Sequence, residues 1–156
     1  MPRDSPTLAA LRGETGRVIL ALSGKDSMIA GCLAADLGFQ IEAVHLYLVP
    51  DLLCIEEPLI DAAAKMGARY STYPTHYLGR ILHYGVLCDP MPEAPGDLTL
   101  PDVEDALRRR LGAEWVVAGR RLGEVNEFHH AAQMRRCRGR FEGVRRIEAI
   151  WDWSKA

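Results

Sequence analysis

A strand, a polar turn and a helix in direct succession constrain the fold more than any other feature of this sequence. Residues 17–22 form an apolar, partly β-branched run that is typical of a buried strand. The turn Ser-Gly-Lys-Asp-Ser at residues 23–27 leads into residues 28–37, which predict a helix ended by Gly38. Because the first N–H groups of a helix have no acceptor within it and carry partial positive charge, this arrangement predicts an anion site.

The residues of the turn suit a phosphate ligand in different ways. Gly24 predicts either a positive φ or a close approach of the backbone to a ligand. Ser23 and Ser27 supply hydroxyl groups, Lys25 supplies a cation, and Asp26 supplies a carboxylate that could orient the loop or hold Mg²⁺. The alternative is an ordinary turn in which Ser23 or Asp26 only caps the helix.

The rest of the chain repeats the alternation of strand and helix. Strands are predicted at residues 41–49, 68–73, 114–119 and 141–150, and helices at 55–66, 76–84, 101–111 and 125–136. Such units imply parallel strands joined by right-handed crossovers. We therefore expect one doubly wound α/β domain over residues 17–156, with a mostly parallel five-stranded sheet and helices on both faces. Residues 1–16 are interpreted as an N-terminal lead-in.

Composition narrows the class of protein. A chain of 156 residues with 48% hydrophobic and 26% charged residues is typical of a single globular domain. It has no apolar run near the length of a membrane span and no apolar leader, so we expect a cytoplasmic protein without a membrane partner. The four cysteines, Cys32, Cys54, Cys88 and Cys137, are too widely spaced to favour a zinc site or an iron–sulfur cluster.

Positive charge is concentrated in one region. Residues 108–146 contain 11 arginines and no lysine. Guanidinium groups bind oxyanions through paired hydrogen bonds, so this region suits phosphate or sulfate recognition, or contact with nucleic acid. The alternative is a solvated surface that happens to be rich in arginine.

Ligands of open α/β sheets bind outside the carboxyl ends of the strands, near the point where the strand order reverses. Three segments of this sequence are expected to meet there. The first is the turn at 23–27. The second is Leu46 and Tyr47, which would offer apolar and backbone contacts to an adenine. The third is the segment from Gly119 to Glu124 after the fourth strand.

Two of these segments resemble those of a known superfamily. Residues 23–27 resemble the S-G-G-x-D-S loop of the PP-loop adenine nucleotide α-hydrolases, with one glycine fewer. Residues 119–124 are similar to the G-x-R-x-x-E segment of its PAPS (phosphoadenosine phosphosulfate) reductase-like family, and Trp153-Ser154 to that family's W-S/T element. In that family a further C-terminal segment follows, and true reductases carry a catalytic cysteine in an E-C-G-x-H-like motif. This sequence shows neither, so it resembles a shortened member of the family, a fragment, or one half of a split protein.

The resemblance implies an adenine-nucleotide-binding transferase that cleaves ATP between the α and β phosphates and adenylates an acceptor. It implies catalytic roles for Lys25, Asp26 and Arg121, with Mg²⁺ at Asp26. Together with these three, the residues implied in nucleotide binding are Ser23, Gly24, Ser27, Leu46, Tyr47, Gly119, Arg120 and Glu124.

Two alternatives stay open. One is binding or reduction of PAPS, with the catalytic cysteine supplied elsewhere. The other is a non-catalytic nucleotide-binding subunit, completed by a second subunit or a second copy, in a nucleic-acid-modifying complex. A sheet edge left open after the fifth strand, near Trp151 and Trp153, would be covered by that second subunit.

Overall fold

The computed structural model describes residues 5–14, 16–85, 99–121 and 140–153. Within them, one sheet has the strand order β3-β2-β1-β4-β6-β5. Five of these strands run parallel to their neighbours, and β5 pairs with β6 in antiparallel orientation. The strands are β1 (Arg17–Ala21), β2 (Gln40–Tyr47), β3 (Arg69–Pro74), β4 (Trp115–Ala118), β5 (Arg140–Phe141) and β6 (Arg146–Glu148).

Helices cover both faces of the sheet, as predicted. They are α1 (Pro6–Ala9), α2 (Lys25–Asp36), α3 (Leu53–Lys65), α4 (His76–Tyr84) and α5 (Leu100–Arg110). Because successive side chains of a strand point to opposite faces, Leu20 packs in a core shared with α1, α2 and α3. Its neighbour Ile19 lies in the other core, with Val116 and Leu107 of α5. The doubly wound α/β prediction is therefore confirmed.

The C-terminal part of the sheet differs from the prediction. The single strand expected at residues 141–150 is divided into β5, a 3₁₀ turn (Glu142–Val144) and β6, so the sheet has six strands instead of five. The chain reverses at Arg145, whose φ of 49° lies in the left-handed region. Glycine is the usual residue in that conformation, and an arginine there gives no turn signal.

Helix α2 begins three residues earlier than its apolar pattern suggests. Its first residue is Lys25 and its N-cap is Gly24, so Lys25, Asp26 and Ser27 form the first helical turn. The apolar pattern starts only at Met28. The residues predicted as a loop are thus the exposed N-terminus of a helix, which is the feature that an anion site requires.

The stretch predicted as a lead-in contributes to the core. Leu8 and Leu11 are fully buried. The Ser5 hydroxyl accepts a hydrogen bond from the N–H of Leu8 at 3.1 Å and donates one to the carbonyl of Ala149. The segment is short and flanked by polar residues, so the sequence shows no clear apolar periodicity. The burial of the two leucines places the segment on the sheet.

Close packing fixes α2 on β1. A Cβ added to Gly31 would lie 2.3 Å from Met66 Sδ and 2.6 Å from Leu20 Cδ2. A larger side chain at Gly31 would require the side chains of Met66 and Leu20 to move. Since α2 starts directly after β1, its N-terminus lies at the carboxyl end of the sheet.

The start of α5 should make the stability of the fold depend on pH. The N–H of Thr99 donates to Asp102 Oδ2 at 2.8 Å, and the N–H of Asp102 donates to Thr99 Oγ1 at 3.4 Å. The hydrogen bonds from the Thr99 side chain and backbone lower the pKa of Asp102. The stabilisation is therefore present above the ordinary aspartate pKa and lost as the pH falls through the lowered value in the folded state.

We expect Asp102→Asn to reduce the free energy of unfolding near neutral pH and to lose this effect in acid, as measured by urea denaturation between pH 2 and 7. Asp36→Asn, at the C-terminus of α2, is the control, because removing a negative charge there should stabilise slightly. A difference between wild type and Asp102→Asn that does not change with pH would contradict the assignment.

Candidate functional site

A cleft of about 460 Å³ opens at the carboxyl ends of β1 and β4. These two strands are neighbours at the switch point, because β2 and β3 lie on one side of β1 while β4 and β6 lie on the other. The volume lies in the range of small-molecule sites. The residues that line the cleft are Ala21, Leu22, Ser23, Gly24, Lys25, Asp26, Ser27, Val44, Leu46, Thr75, His76, Tyr77, Leu100, Glu104, Ala118, Gly119, Arg120 and Arg146.

Ser27 holds the connection between β1 and α2 in shape. Its Oγ accepts hydrogen bonds from the N–H groups of Ser23 at 2.9 Å and Gly24 at 3.0 Å, and donates to the carbonyl of Gly24 at 2.7 Å. These two N–H groups are therefore turned to Ser27. The first intrahelical bond runs from Met28 N–H to Gly24 O, so the N–H groups of Lys25, Asp26 and Ser27 have no acceptor within the helix. The Ser27 nitrogen is covered by Gly119, which leaves those of Lys25 and Asp26 as candidates for contact with an anion.

Gly24 has an extended backbone, with φ 175° and ψ −165°. Of the two uses that a glycine allows at this position, the positive φ is therefore not adopted. A Cβ added here would meet nothing within 4 Å, so packing within the fold does not require glycine. Because Gly24 lines the cleft, its missing side chain leaves space that a ligand could occupy, and close approach of a ligand stays a prediction.

Gly119 is the glycine that the local packing requires. A Cβ at this position would lie 2.3 Å from the carbonyl oxygen of Asp26 and 2.7 Å from the nitrogen of Ser27. The chain leaving β4 thus packs backbone against backbone on the first turn of α2. The sequence pointed to this residue as a ligand contact, and the structure gives it a packing role as well.

Asp26 and Arg121, two of the three residues implied in catalysis, contact each other. Arg121 Nη2 lies 2.7 Å from Asp26 Oδ2, and their side chains are only 13% and 25% exposed. The ion pair joins the segment after β4 to the start of α2. The third residue, Lys25, is exposed and lines the cleft.

The remaining predicted residues divide into three groups. Leu46, Gly119 and Arg120 line the cleft together with residues 23–27. Among the described residues that line it, Tyr47 does not appear. Its carbonyl instead accepts a hydrogen bond from Thr75 N–H at 2.8 Å. Glu124 lies outside the described residues, as do Cys88 and Cys137.

A buried cluster of charges at the cleft was not anticipated. Arg146 Nε donates to Glu148 Oε1 at 2.8 Å, and Arg146 Nη1 donates to Glu104. Glu148 is fully buried, and its Oε2 accepts the N–H of Arg120 at 2.8 Å. Glu104 and Arg146 line the cleft. Glu104 lies on the apolar face of α5, so a charge at a core position was the signal that could have revealed the cluster.

Burial and the neighbouring charges have opposite effects on the pKa values of Glu104 and Arg146. Burial raises the pKa of Glu104, and the neighbouring Arg146 guanidinium lowers it only in part. Burial alone would lower the pKa of Arg146, but the carboxylates of Glu148 and Glu104 outweigh it and raise that pKa. Arg146 therefore stays charged across the whole accessible pH range.

A second helix N-terminus reaches the cleft. Thr75 is the N-cap of the nine-residue α4 and lines the cleft with His76 and Tyr77. Thr75 Oγ1 lies 3.3 Å from His76 Nδ1. The N-termini of α2 and α4 both bring partial positive charge, so the electrostatics favour an anionic ligand.

Many of the arginines between residues 108 and 146 contact carboxylates of the same chain. These contacts support the fold and reduce the positive charge that is available to an external ligand. The pairs are Arg108 and Arg109 with Asp105, Arg121 with Asp26, Arg140 with Glu14 and Glu142, and Arg146 with Glu104 and Glu148.

The described residues contain neither a candidate membrane span nor a cluster of metal-binding side chains. None of the helices there has the length and apolar character needed to cross a membrane. In the same part of the chain, no three side chains of histidine, cysteine, aspartate or glutamate converge on a common metal position.

Comparison with known proteins gives relatives but no matching family model. The chain is similar to tRNA sulfurtransferases. It is 34% identical over 127 residues to a probable tRNA sulfurtransferase of Geobacillus kaustophilus, and 32% identical over 119 residues to one of Listeria monocytogenes. Each match covers 72% of this chain and 30% of the relative, so the chain spans less than a third of the relatives' length. The PAPS reductase-like assignment stays a prediction.

The two glycines of the cleft should respond differently to the same substitution. We expect Gly119→Ala to lower the free energy of unfolding by about 1–3 kcal/mol, because the new methyl group overlaps the backbone of α2. Gly24→Ala should change it by less than about 1 kcal/mol, since the space is open. Urea denaturation measures both values, and equal effects would contradict the packing described here.

Removing the Ser27 hydroxyl should loosen the start of α2. Ser27→Ala leaves the N–H groups of Ser23 and Gly24 without their acceptor, which we expect to cost about 1–3 kcal/mol. Hydrogen exchange should show faster exchange of these two amides. Ser71→Ala, on β3, serves as the control, and unchanged exchange in Ser27→Ala would refute the role of the hydroxyl.

Proposed function

We propose that the chain binds ATP with Mg²⁺ in the switch-point cleft and cleaves it between the α and β phosphates, which adenylates an acceptor and releases pyrophosphate. The observation that carries this proposal is the turn at residues 23–27. It lines the cleft as a helix N-terminus, shaped by Ser27, with Lys25 and Asp26 in its first turn. Its sequence resembles the pyrophosphate loop of the PP-loop superfamily.

The phosphates would lie at the N-terminus of α2. The N–H groups of Lys25 and Asp26 precede the first intrahelical hydrogen bond, and the exposed Lys25 ammonium adds a full charge. The start of α4 at Thr75 provides a second positive helix end at the same cleft. These groups suit a leaving pyrophosphate, which carries several negative charges.

Asp26 is the residue that would hold Mg²⁺. Sites for Mg²⁺ commonly use one or two carboxylates and take the remaining ligands from water and the nucleotide phosphates. Of the two carboxylates that line the cleft, Glu104 is held by Arg146, and Asp26 lies in the first turn of α2, where it fits that pattern. When bound, the ion would neutralise charge on the phosphates. Arg121, held 2.7 Å from Asp26 Oδ2, would place its guanidinium beside the same charges.

The base would lie on the floor of the cleft. This floor is formed by the carboxyl ends of three neighbouring strands and consists of small or aliphatic side chains. An adenine ring can pack on such a surface without competing for the polar groups at the turn. The floor residues are Ala21, Val44, Leu46 and Ala118.

The reaction needs no nucleophile from the protein. A nucleophilic oxygen of the acceptor attacks the α phosphorus, the bond to the bridging oxygen breaks, and pyrophosphate leaves with that electron pair, while the acceptor's proton passes to solvent. Catalysis is then positioning and charge stabilisation. The described residues supply both through the helix N-terminus, Lys25 and Arg121.

The relatives' names suggest the acceptor. They are tRNA sulfurtransferases, so we propose that the acceptor is a tRNA base, whose oxygen is activated by adenylation before sulfur replaces it. The chain spans 30% of those proteins, which favours a second candidate: a nucleotide-binding unit that works with a partner carrying the RNA-binding or sulfur-carrying parts.

The turn can be tested against a matched pair of charges on α3. Lys25→Ala removes a cation that faces the phosphates, and Asp26→Asn removes the carboxylate that would hold Mg²⁺, so each should weaken the binding of ATP with Mg²⁺ about tenfold or more and reduce pyrophosphate release. Lys65→Ala and Asp61→Asn, which break an exposed ion pair of 2.6 Å, should change neither.

Calorimetric titration with ATP, AMP and PAPS, with and without Mg²⁺, measures the binding, and a coupled assay measures pyrophosphate. Undiminished ATP binding in Asp26→Asn would overturn the assignment. A preference for PAPS would support the alternative nucleotide, and binding without turnover would support the non-catalytic unit.

A further inference from the structure

A network of buried charges stands behind the β4 side of the cleft. It joins Glu104 of α5, Arg146 and Glu148 of β6, and the backbone N–H of Arg120. All three side chains are buried, Glu148 completely. The network thus ties two elements of the fold to the segment that leaves β4.

Stability alone is a poor reason for such a network. Removing two carboxylates and a guanidinium from water costs several kcal/mol per ion, and well-packed apolar side chains often serve equally well. In the sheet, Arg146 pairs in register with Val116 and Glu148 with Ala118. Apolar residues at these β6 positions would extend the core of the α5 face. The charged residues therefore have another role, which is to orient a neighbouring group through hydrogen bonds that apolar side chains could not make.

The group that the charged network orients is the segment at residues 119–121. Glu148 Oε2 accepts the Arg120 N–H at 2.8 Å, and the carbonyl of Ala118 accepts the N–H of Ala149 at 2.8 Å. Both bonds fasten the end of β4 to the end of β6. The same segment packs Gly119 on the first turn of α2 and pairs Arg121 with Asp26.

We infer that Glu148 is a positioning residue for the adenylation site. It fixes the backbone from which Arg120 enters the cleft and Arg121 reaches Asp26. Glu148 itself is fully buried and does not line the cleft, whereas Arg146, held by Glu104 on its other side, keeps the Glu148 carboxylate from turning away. This inference rests on the proposed function for its catalytic consequence.

The test uses Glu148→Gln in the full chain. Glutamine keeps the shape but presents an amide N–H₂ either to Arg146 Nε or to the Arg120 N–H, so one donor loses its acceptor. We expect the rate constant for pyrophosphate release to fall at least tenfold while the dissociation constant for ATP changes less than threefold, because the phosphate-binding groups at α2 are retained.

Glu42→Gln is the matched control. Glu42 is also a buried carboxylate on a strand, but it pairs with Arg69 at 3.5 Å, and β2 and β3 lie on the opposite side of β1 from the network. If Glu148 only supported the fold, both variants would lower the melting temperature and neither would separate catalysis from binding. Equal catalytic effects of the two variants would therefore overturn the inference.

A second readout does not depend on activity. In the absence of nucleotide, exchange of the Arg120 amide should be slow in the wild type and at least tenfold faster in Glu148→Gln. Unchanged exchange would overturn the inference. If the wild type releases no pyrophosphate, the proposed function fails, and the exchange measurement still decides whether Glu148 positions this segment. Should Glu148→Gln not fold, Glu104→Gln, which removes only the outer contact of Arg146, should give a smaller change in the same direction.

Discussion

The contact between Gly119 and the first turn of α2 determines how the cleft is built. A Cβ at Gly119 would lie 2.3 Å from Asp26 O, so the two backbones meet with no side chain between them. This places the ends of β1 and β4 side by side at the point where the strand order reverses. The ion pair of Asp26 with Arg121 and the cleft position of Arg120 both depend on that approach.

Most of the fold follows from patterns of single elements. Apolar, β-branched runs predicted the positions of β1, β2 and β4, the stretch closed by Pro74 predicted β3, and the alternation of strands with helices predicted the parallel sheet. The reversal at Arg145 was missed because apolar and polar residues alternate on both sides of it and because a non-glycine residue is uncommon at a φ of 49°. A local sequence pattern does not reveal a turn that depends on tertiary contacts.

The site was predictable only where its residues are contiguous in the sequence. The turn at residues 23–27 and the segment after β4 are each contiguous, so sequence reasoning could place both at the carboxyl edge. Glu104 and Glu148 are 44 positions apart and belong to different elements. Arg146 and Glu148 share β6, and only the tertiary fold brings Glu104 of α5 to Arg146. Contacts between distant residues produce no regular spacing in the sequence. Their only sequence signal is a charged residue at a position where the periodicity predicts an apolar one.

The short β5 strand has a consequence for association between molecules. An exposed strand offers unpaired backbone groups to any other strand, and natural sheets protect their edges with short or charged strands. Here the edge beside β6 is closed by two residues of the same chain, and Arg140 is held there by Glu14 and Glu142. Trp151 is buried within the fold as well. Among the described residues, the sheet therefore ends on this side in a two-residue strand held by ion pairs, which is a form of edge that disfavours pairing with a strand of another molecule.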